Sequence, residues 1–431
     1  MDSLQKAVSD CLRKVAGHHE LRLNVVSSTE FSDHTFIPGV LPKRRDRLLV
    51  VSQYQECEQG EKATCIPVFA MAVSEYNLGN GSSMPQRVYI EKIDTTGFGI
   101  FPQRSASCYS ISRATVLGYI SFLREYCSVN VRTIVHVFAR AQPAYLFSGS
   151  QNNRGKRILS ERNLVKWWAK TLGSLTIAPD QKAMRGFWYV PGETEQTVAD
   201  IGRVGAITRA VEWTWGLPYP AGANALEVVP RFSDDPKSKV LSRYSSKDTV
   251  TISEFEQLLE TTGECGAGRV SGLFALDLGE QAKVCDGASY PTPLSCSNIK
   301  QFIEFQHKLS ALDFGSLEST AHSAEQLDQI FRELKVQHTD IPVRNDVQPP
   351  GTTDISSTGP NVMNLQNFVK RKPASQDVIT VQSLVKRKHA HTKDGENSGP
   401  EKSSTHPLGR QVQNGGTLCE QTTKKSRMNT S

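Results

Sequence analysis

The sequence predicts an α/β protein in which helices cover a β-sheet, followed by a disordered basic tail. Short apolar or alternating runs at residues 47–52, 65–73 and 87–93 are separated by Gly, Asn and Pro turns and are typical of strands. Amphipathic stretches around these runs predict helices. Towards the end of the chain, aromatic residues give way to Ser, Thr, Pro, Gly, Lys and Arg, a composition that cannot offset its ordering entropy by burial. We therefore expect a globular domain over residues 1–342 and a tail over residues 343–431.

The first half of the chain predicts both layers of this fold. Residues 4–15 form an amphipathic helix that is expected to cover the sheet, and residues 112–125 form a second helix. Residues 131–138 are almost continuously apolar, which indicates a strand covered on both faces. His136 within this strand is expected to be a core histidine, with a role as a base as the alternative.

The second half of the chain is predicted mainly from helix caps and aromatic content. A helical segment is expected near residues 197–209 and an aromatic loop at residues 213–219. Asp235 is in position to cap a helix that starts at Pro236. Two further amphipathic helices are expected before the tail: residues 297–312, capped by Ser297, and residues 323–334.

Composition excludes several classes of protein. A net charge of +6 and a pI of about 8.7 are too modest for a dedicated nucleic-acid clamp. Nine cysteines are scattered without any Cys-x-x-Cys pair, which favours reduced thiols in the cytosol or nucleus over structural zinc. No apolar run approaches the ~18 residues of a membrane span, and the first residues do not resemble a signal peptide.

One stretch combines the features of a binding site. Residues 138–147 predict a strand end and an aromatic turn, residues 152–159 a basic loop, and Ser160 the N-cap of the next helix. Trp168 lies on the apolar side of this helix, and Trp167 is about 100° away from it. One indole is therefore expected in the core and the other facing elsewhere, with packing of both in the core as the alternative.

Carboxylates occur at two further positions where loops are expected. Asp94, Thr95 and Thr96 end a predicted strand, where loops commonly carry sites. The alternative is that Asp94 only opens a turn. Asp234 and Asp235 are adjacent, and the N-cap explains only Asp235.

The tail contains one internal repeat. Residues 362–372 recur sixteen residues later at 378–388, and each copy is an apolar strip followed by a basic triplet. Such a unit predicts a docking motif or a nuclear-import signal, with a solvated basic patch as the alternative.

Four of these motifs, in the same order, resemble the fungal Rtt-type histone H3 acetyltransferases over most of residues 1–340. They are Asp94 with Thr95, residues 138–168, residues 190–193 and residues 232–237. The resemblance implies a fold similar to that of the metazoan CBP-type acetyltransferases, with a central mixed β-sheet surrounded by helices. It also implies that acetyl-CoA binds in a deep cleft and that no metal is needed.

The resemblance implies roles for individual residues as well. The reacting centre is expected to contain Asp94, Asp234, Asp235, Tyr145 and Trp168. The residues expected along acetyl-CoA are Thr95, Thr96, Phe138, Ala139, Arg140, Gln142, Lys156, Arg157, Ile158, Leu159 and Trp167. Lys237 matches a lysine that is acetylated in family members. Arg140, Arg154, Lys156 and Arg157 supply the positive charge that coenzyme A phosphates need.

The expected chemistry is the transfer of an acetyl group to a lysine. A free lysine has a pKa of ~10.4, so the substrate amine must lose a proton before it attacks a thioester. Asp234 or Asp235 either accepts this proton or only positions the ammonium. Tyr145 and Trp168 are expected to exclude water and narrow the channel.

This chain departs from the family pattern in two places. Arg157 stands where some members have a histidine, so a role for that imidazole does not transfer. A long basic insertion of the yeast-type protein, between the positions of Glu125 and Val131, is nearly absent. The usual way of docking to a histone chaperone therefore does not transfer either.

The expected function is that of a nuclear, acetyl-CoA-dependent histone H3 lysine acetyltransferase. The resemblance implies that H3 is presented with H4 by histone chaperones, in chromatin assembly and DNA-damage tolerance. The expected targets are the core-domain lysine near the DNA entry site and tail lysines. A non-catalytic chromatin adaptor that keeps the fold is the alternative. Neither a membrane nor direct sequence-specific nucleic acid is expected as a partner.

Overall fold

A computed structural model describes most of the predicted globular part. It covers residues 2–55, 64–78, 84–99, 109–126, 131–177, 182–205, 208–245, 247–261, 265, 269–279 and 296–345. The predicted tail repeat lies outside the described residues. Within these ranges, no helix is both long and apolar enough to cross a membrane.

The described part of the chain forms ten strands and nine α-helices. The strands are β1 (Gly17–Ser27), β2 (Phe31–Ser32), β3 (Lys43–Tyr54), β4 (Cys65–Asn77), β5 (Gln86–Thr95), β6 (Thr133–Ala139), β7 (Met184–Tyr189), β8 (Val211–Trp215), β9 (Gly272–Asp277) and β10 (His338–Asn345). The helices are α1 (Ser3–Leu12), α2 (Ile111–Tyr126), α3 (Glu161–Leu172), α4 (Ala199–Gly205), α5 (Ala225–Val228), α6 (Pro236–Leu241), α7 (Ile252–Glu260), α8 (Ile299–Ala311) and α9 (Leu317–Glu333).

All these strands belong to one mixed sheet. Its order is β10-β1-β3-β4-β5-β6-β9-β7-β8, with β2 paired to β3 outside this path. The β5–β6 and β7–β8 pairs are parallel, and the other pairs are antiparallel. This confirms the predicted fold class, a central mixed sheet with helices.

Helices cover both faces of the sheet. Leu49 and Val51 of β3 pack in a core shared with α1, α2 and α3. Leu48 and Val50 point to the opposite face, where they pack with α8 and α9. The alternation of side chains along a strand divides these neighbours between the two cores. The apolar strands found in the sequence reflect this double burial.

Several predicted elements differ from those in the structure. The prediction of an aromatic loop at residues 213–219 was wrong at its start, because residues 211–215 form β8, which pairs in parallel with β7. Ser297 is not the cap of α8; the side chain of Asn298 caps it by accepting the Gln301 amide at 3.0 Å. Helix α9 begins at Leu317, earlier than residue 323. Strand β10 passes through the predicted domain end at residue 342 and pairs with β1.

Candidate active site

A cleft of about 820 Å³ opens where two neighbouring strands separate. The parallel pairing of β5 with β6 ends at Ile90 and Val137, and both strands continue beyond that point. The cleft lies beside these diverging ends. Its charged and polar or aromatic lining residues include Glu91, Lys92, Asp94, Thr95, Tyr109, Arg113, Phe138, Arg140, Gln142, Tyr145, Lys156, Arg157, Trp167, Trp168 and Lys170.

Aromatic residues form one wall of the cleft. Trp167 and Trp168 meet edge to face with ring centroids 5.0 Å apart, and both line the cleft. Trp168 is buried in the core and Trp167 is partly exposed, as the helical spacing predicted. The Tyr145 hydroxyl donates a hydrogen bond to the Arg140 carbonyl at 2.6 Å, which holds the turn that carries both residues.

Helix α3, which carries the two tryptophans, is anchored differently from the prediction. Ser160 occupies the N-cap position, but its side chain makes no capping hydrogen bond. Instead, the carboxylate of Glu161 accepts the Val270 amide at 2.9 Å and ties the helix start to the segment before β9. Val165 is fully buried in the first turns of the helix, and Leu164 is half-buried.

Asp94 organises the turn that forms the floor of the cleft. One of its oxygens accepts three successive amides, those of Tyr145, Leu146 and Phe147, at 2.8, 2.9 and 3.1 Å. The other accepts the Thr95 amide at 2.8 Å and the Lys156 ammonium at 2.7 Å. Because both oxygens already hold several donors, Asp94 lines the cleft as an anchor rather than as an unoccupied base.

The basic loop after residue 152 is fastened to the end of β5. The Asn153 side chain donates to the Thr96 carbonyl at 2.8 Å, and the Lys156 ammonium bridges Asp94 and Ser150. Gly97 has a φ of 80°, and a Cβ added there would lie 2.4 Å from the Lys156 nitrogen. A side chain at residue 97 would therefore push the loop away.

The cations of the cleft fall into two groups. Lys156 is almost completely buried, and its ammonium pairs with Asp94. The second group comprises Lys92, Arg113, Arg140, Arg157 and Lys170, which also line the cleft. Their charge suits an anionic ligand such as the phosphates of coenzyme A. The cleft therefore has positive charge beside an aromatic wall.

The second carboxylate segment lies outside the lining of this cleft. Asp235 is fully buried; it accepts the Lys237 amide at 2.9 Å as the cap of α6 and forms an ion pair with the Lys237 ammonium. Asp234 has a φ of 52° and a side chain 47% exposed, 4.0 Å from the Lys239 ammonium. Among the described residues that line the cleft, neither aspartate nor Lys237 occurs.

An aromatic cluster holds this segment against the sheet. Phe232 stacks on Tyr89 with ring centroids 4.5 Å apart and is buried with Phe36 and Tyr76. The Ser233 hydroxyl donates a hydrogen bond to Glu91 at 2.8 Å. The segment therefore contacts a residue of the cleft lining, Glu91, by way of Ser233. Neither aspartate is part of that lining.

Two residues predicted along the ligand are structural in this arrangement. The Thr96 hydroxyl donates to the Pro67 carbonyl at 2.8 Å and is buried. Ala139 is buried and pairs with Gly272. Arg154, predicted to face the coenzyme A phosphates, is not among the described residues that line the cleft. The other residues predicted along acetyl-CoA do line it: Thr95, Phe138, Arg140, Gln142, Lys156, Arg157, Ile158, Leu159 and Trp167.

His136 is a buried strand residue, as predicted, but it belongs to a second and much smaller cavity. That cavity, of about 10 Å³, is also lined by Tyr219 and Lys237. Burial holds the pKa of His136 well below its ordinary value, and the positive charges of Arg87 and Lys237 act in the same direction. The imidazole is therefore neutral at physiological pH.

Glu91 is a cleft residue that sequence reasoning missed. A glutamate in an alternating strand is most often a solvated residue. In the structure it lines the cleft and is half-buried. The interaction with Ser233, 142 residues away in the chain, could not be found from local patterns.

Comparisons with known proteins agree with this architecture. Residues 102–347, more than half of the chain, match the model of the histone acetyltransferase KAT11-type domain. The chain therefore belongs to the family of KAT11-type histone acetyltransferase domains.

Individual relatives carry a more specific name. The chain is 29% identical to "Histone acetyltransferase rtt109" of Schizosaccharomyces pombe, over 44% of this chain and 52% of that protein. It is 28% identical to the rtt109 of Aspergillus flavus, over 49% of this chain and 44% of that protein. The chain thus spans about half the length of the curated relatives it matches.

A solved structure shows the same fold. The crystal structure of Rtt109 from Aspergillus fumigatus matches with a TM-score of 0.63 and 20% identity, over 78% of this chain and 99% of that one. At this identity the match establishes the fold alone. Taken together, the family model, the named relatives and this fold confirm the resemblance to Rtt-type acetyltransferases that the four sequence motifs indicated.

Proposed function

We propose that this chain is an acetyl-CoA-dependent lysine acetyltransferase that acts on histones. The observation that carries the proposal is the cleft, in which positive charge lies beside an aromatic wall at the diverging ends of β5 and β6. Coenzyme A has an anionic phosphate end, and its thioester reacts best where water is excluded. Membership of the KAT11-type family supports the same reaction.

The residues of the cleft have three different roles in the proposed reaction. Arg113, Arg140, Arg157 and Lys170 line the cleft and supply positive charge for the phosphates. Tyr145, Trp167 and Trp168 narrow the channel to the width of an aliphatic lysine stem. Asp94 and Lys156 hold the floor of the cleft in place without contacting the reacting atoms. Preorganisation of this kind contributes to the rate by fixing the geometry of the reactants.

Histone H3, presented with H4 by a histone chaperone, is the proposed substrate. The relatives are named histone acetyltransferases, which supports a histone substrate. The core-domain lysine near the DNA entry site, then tail lysines, are the proposed targets, in chromatin assembly and DNA-damage tolerance. The two basic triplets of the tail support a nuclear location.

Lys237 is proposed as a site of self-acetylation. Its ammonium is almost completely buried against Asp235 and lies 5.7 Å from the centre of the Phe232 ring. Acetylation would remove this charge and leave Asp235 buried without its cation. Mass spectrometry of the purified protein, before and after incubation with acetyl-CoA, tests this, and Lys237→Arg is the control that keeps the charge.

Acetylation of histones by the purified protein tests the proposed function. The full chain is incubated with H3–H4, acetyl-CoA and a histone chaperone, and acetylated lysines are mapped by mass spectrometry. We expect acetyl-lysine on H3. If acetyl-CoA binds but no histone lysine is modified, the proposed function is wrong. Failure to bind acetyl-CoA at all would favour the chromatin adaptor.

A further inference from the structure

A β-bulge occurs in β5 at the edge of the cleft. Lys92 pairs with Ala72 and Ile90 pairs with Val73, so the two residues next to Glu91 face consecutive residues of β4. Glu91 is therefore the extra residue of the bulge and has no partner in the ladder. A bulge redirects the side chain of its extra residue, and bulges are frequent next to active sites.

Strand β6, on the other side of β5, does not pair with Glu91 either. On that side, the parallel pairing of β5 with β6 ends at Ile90, one residue before Glu91. Glu91 thus follows the last residue paired to β6 and interrupts the pairing to β4. Glu91, at this unpaired position, is one of the residues that line the cleft.

Glu91 and Asp94 are the only carboxylates among the described residues that line the cleft. Asp94 is occupied by four amides and the Lys156 ammonium. One oxygen of Glu91 accepts the Ser233 hydroxyl at 2.8 Å. Its other oxygen has no hydrogen-bond partner in the part of the chain that the structure describes. Glu91 therefore has a fixed orientation and an oxygen available to a ligand.

Building on the proposed acetyltransferase function, we propose that Glu91 is the carboxylate that receives the proton of the substrate lysine. Its unbonded oxygen takes one proton from the ε-ammonium and leaves a neutral amine. The amine nitrogen attacks the thioester carbonyl carbon, so a C–N bond forms. The C–S bond then breaks, and the electron pair leaves with sulfur.

Protons balance over the whole cycle. The nitrogen loses its second proton to the coenzyme A thiolate, and Glu91 releases its proton to solvent. The products are N-acetyllysine, coenzyme A and one proton. Asp234 and Asp235 take no part in these transfers because neither lines the cleft.

The surroundings of Glu91 suit a proton acceptor. Burial raises the pKa of Glu91 above its ordinary value, and Asp46 on β3 acts in the same direction. Lys92 on its own strand, the Ser233 hydroxyl and Arg44 on β3 oppose this by favouring the ionised form. A carboxylate with a raised pKa is a stronger base than an ordinary glutamate. Since the carboxylate is the active form, kcat falls as the pH drops through this pKa.

Single-turnover acetylation with Glu91→Gln tests the proposal. We expect the rate to fall about 100-fold or more, within the range of general-base catalysis. Acetyl-CoA affinity, measured by calorimetry, stays within twofold, and the acid limb of the pH–rate profile disappears. Glu212→Gln is the matched control, because Glu212 is exposed on β8 and does not line the cleft.

Ser233→Ala is a second variant, one that leaves the core intact because Ser233 is exposed. Loss of its hydrogen bond raises the pKa of Glu91, so the acid limb moves to higher pH. If the wild-type protein is active and Glu91→Gln keeps its rate within twofold, the inference is wrong. If Glu91→Gln does not fold, the inference is overturned when the acid limb of the pH–rate profile of Ser233→Ala lies at the same pH as in the wild-type protein. A wild-type protein that acetylates nothing contradicts the proposed function instead.

Discussion

Asp94 and Asp235 are both buried carboxylates paired with a lysine, yet they lie in different surroundings. Asp94 lines the cleft and holds three successive amides of the turn that carries Tyr145. Asp235 caps α6 and pairs with Lys237 outside the cleft lining. The groups already bonded to a carboxylate, and not its residue type, therefore determine what it can do. Both act as anchors, and Glu91 keeps an open oxygen.

The largest effect is expected for Asp94→Asn. In the asparagine, one carboxylate oxygen is replaced by an NH2 group, which cannot accept hydrogen bonds. This group faces either the Lys156 ammonium and the Thr95 amide or the three turn amides, so one set of donors loses its acceptor. Breaking a buried ion pair in this way is expected to lower the free energy of unfolding by about 3–5 kcal/mol. Acetyl-CoA binding should be lost as well, because the floor of the cleft is released. Denaturant unfolding and calorimetry measure the two effects, and a variant with wild-type values for both would contradict the anchoring role.

Asp235→Asn should destabilise the protein without affecting the cleft. The asparagine oxygen can still accept the Lys237 amide, but the buried Lys237 ammonium loses its counter-charge, at a cost of about 3 kcal/mol, the lower end for a buried ion pair broken on one side. Acetyl-CoA affinity should stay within twofold. Asp234→Asn is the matched control, and since that side chain is exposed, its stability should change by less than about 0.5 kcal/mol. Equal destabilisation by both substitutions would contradict the assigned geometry.

Substitutions at two glycines distinguish the effect of backbone strain from the effect of displacing the loop. Gly97→Ala and Gly192→Ala each put an alanine at positive φ, 80° and 78°. A Cβ at Gly97 would also lie 2.4 Å from the Lys156 nitrogen, whereas nothing lies within 4 Å at Gly192. We expect both variants to lose about 1–2 kcal/mol of stability through strain.

Only Gly97→Ala should weaken acetyl-CoA binding, by about tenfold, because it displaces the loop that carries Arg157. Calorimetry on both variants measures this difference. A similar loss of affinity in Gly192→Ala would mean that strain alone, and not contact with the loop, explains the effect.

The sequence predicted the parts of the fold that depend on local patterns. Helix α6 starts at Pro236 with Asp235 as its cap, as residue types alone indicated. Strands β1 and β10 were not predicted, because the first half of β1 is polar and its partner lies more than 300 residues away. Ser160 has the right residue type for a cap, but the bond is absent. Local propensity identifies positions for bonds, whereas tertiary packing decides which bonds form.

The candidate site shows the same division. Tyr145, Trp167, Trp168 and Arg157 line the cleft as expected from the motifs. Glu91 was not predicted because a bulge is a property of the register between two strands. The register is set by the packing of the whole sheet and cannot be seen in the residues of β5 alone.

Binding of acetyl-CoA in the cleft beside β5 and β6 can be measured by calorimetric titration of the wild-type protein and two arginine variants. Arg157 lines the cleft and Arg154, in the same loop, does not. We expect the wild-type protein to bind, Arg157→Ala to bind about tenfold more weakly through loss of a charge-assisted phosphate contact, and Arg154→Ala to bind within twofold of wild type. No binding by the wild-type protein, or equal losses in both variants, would contradict the account.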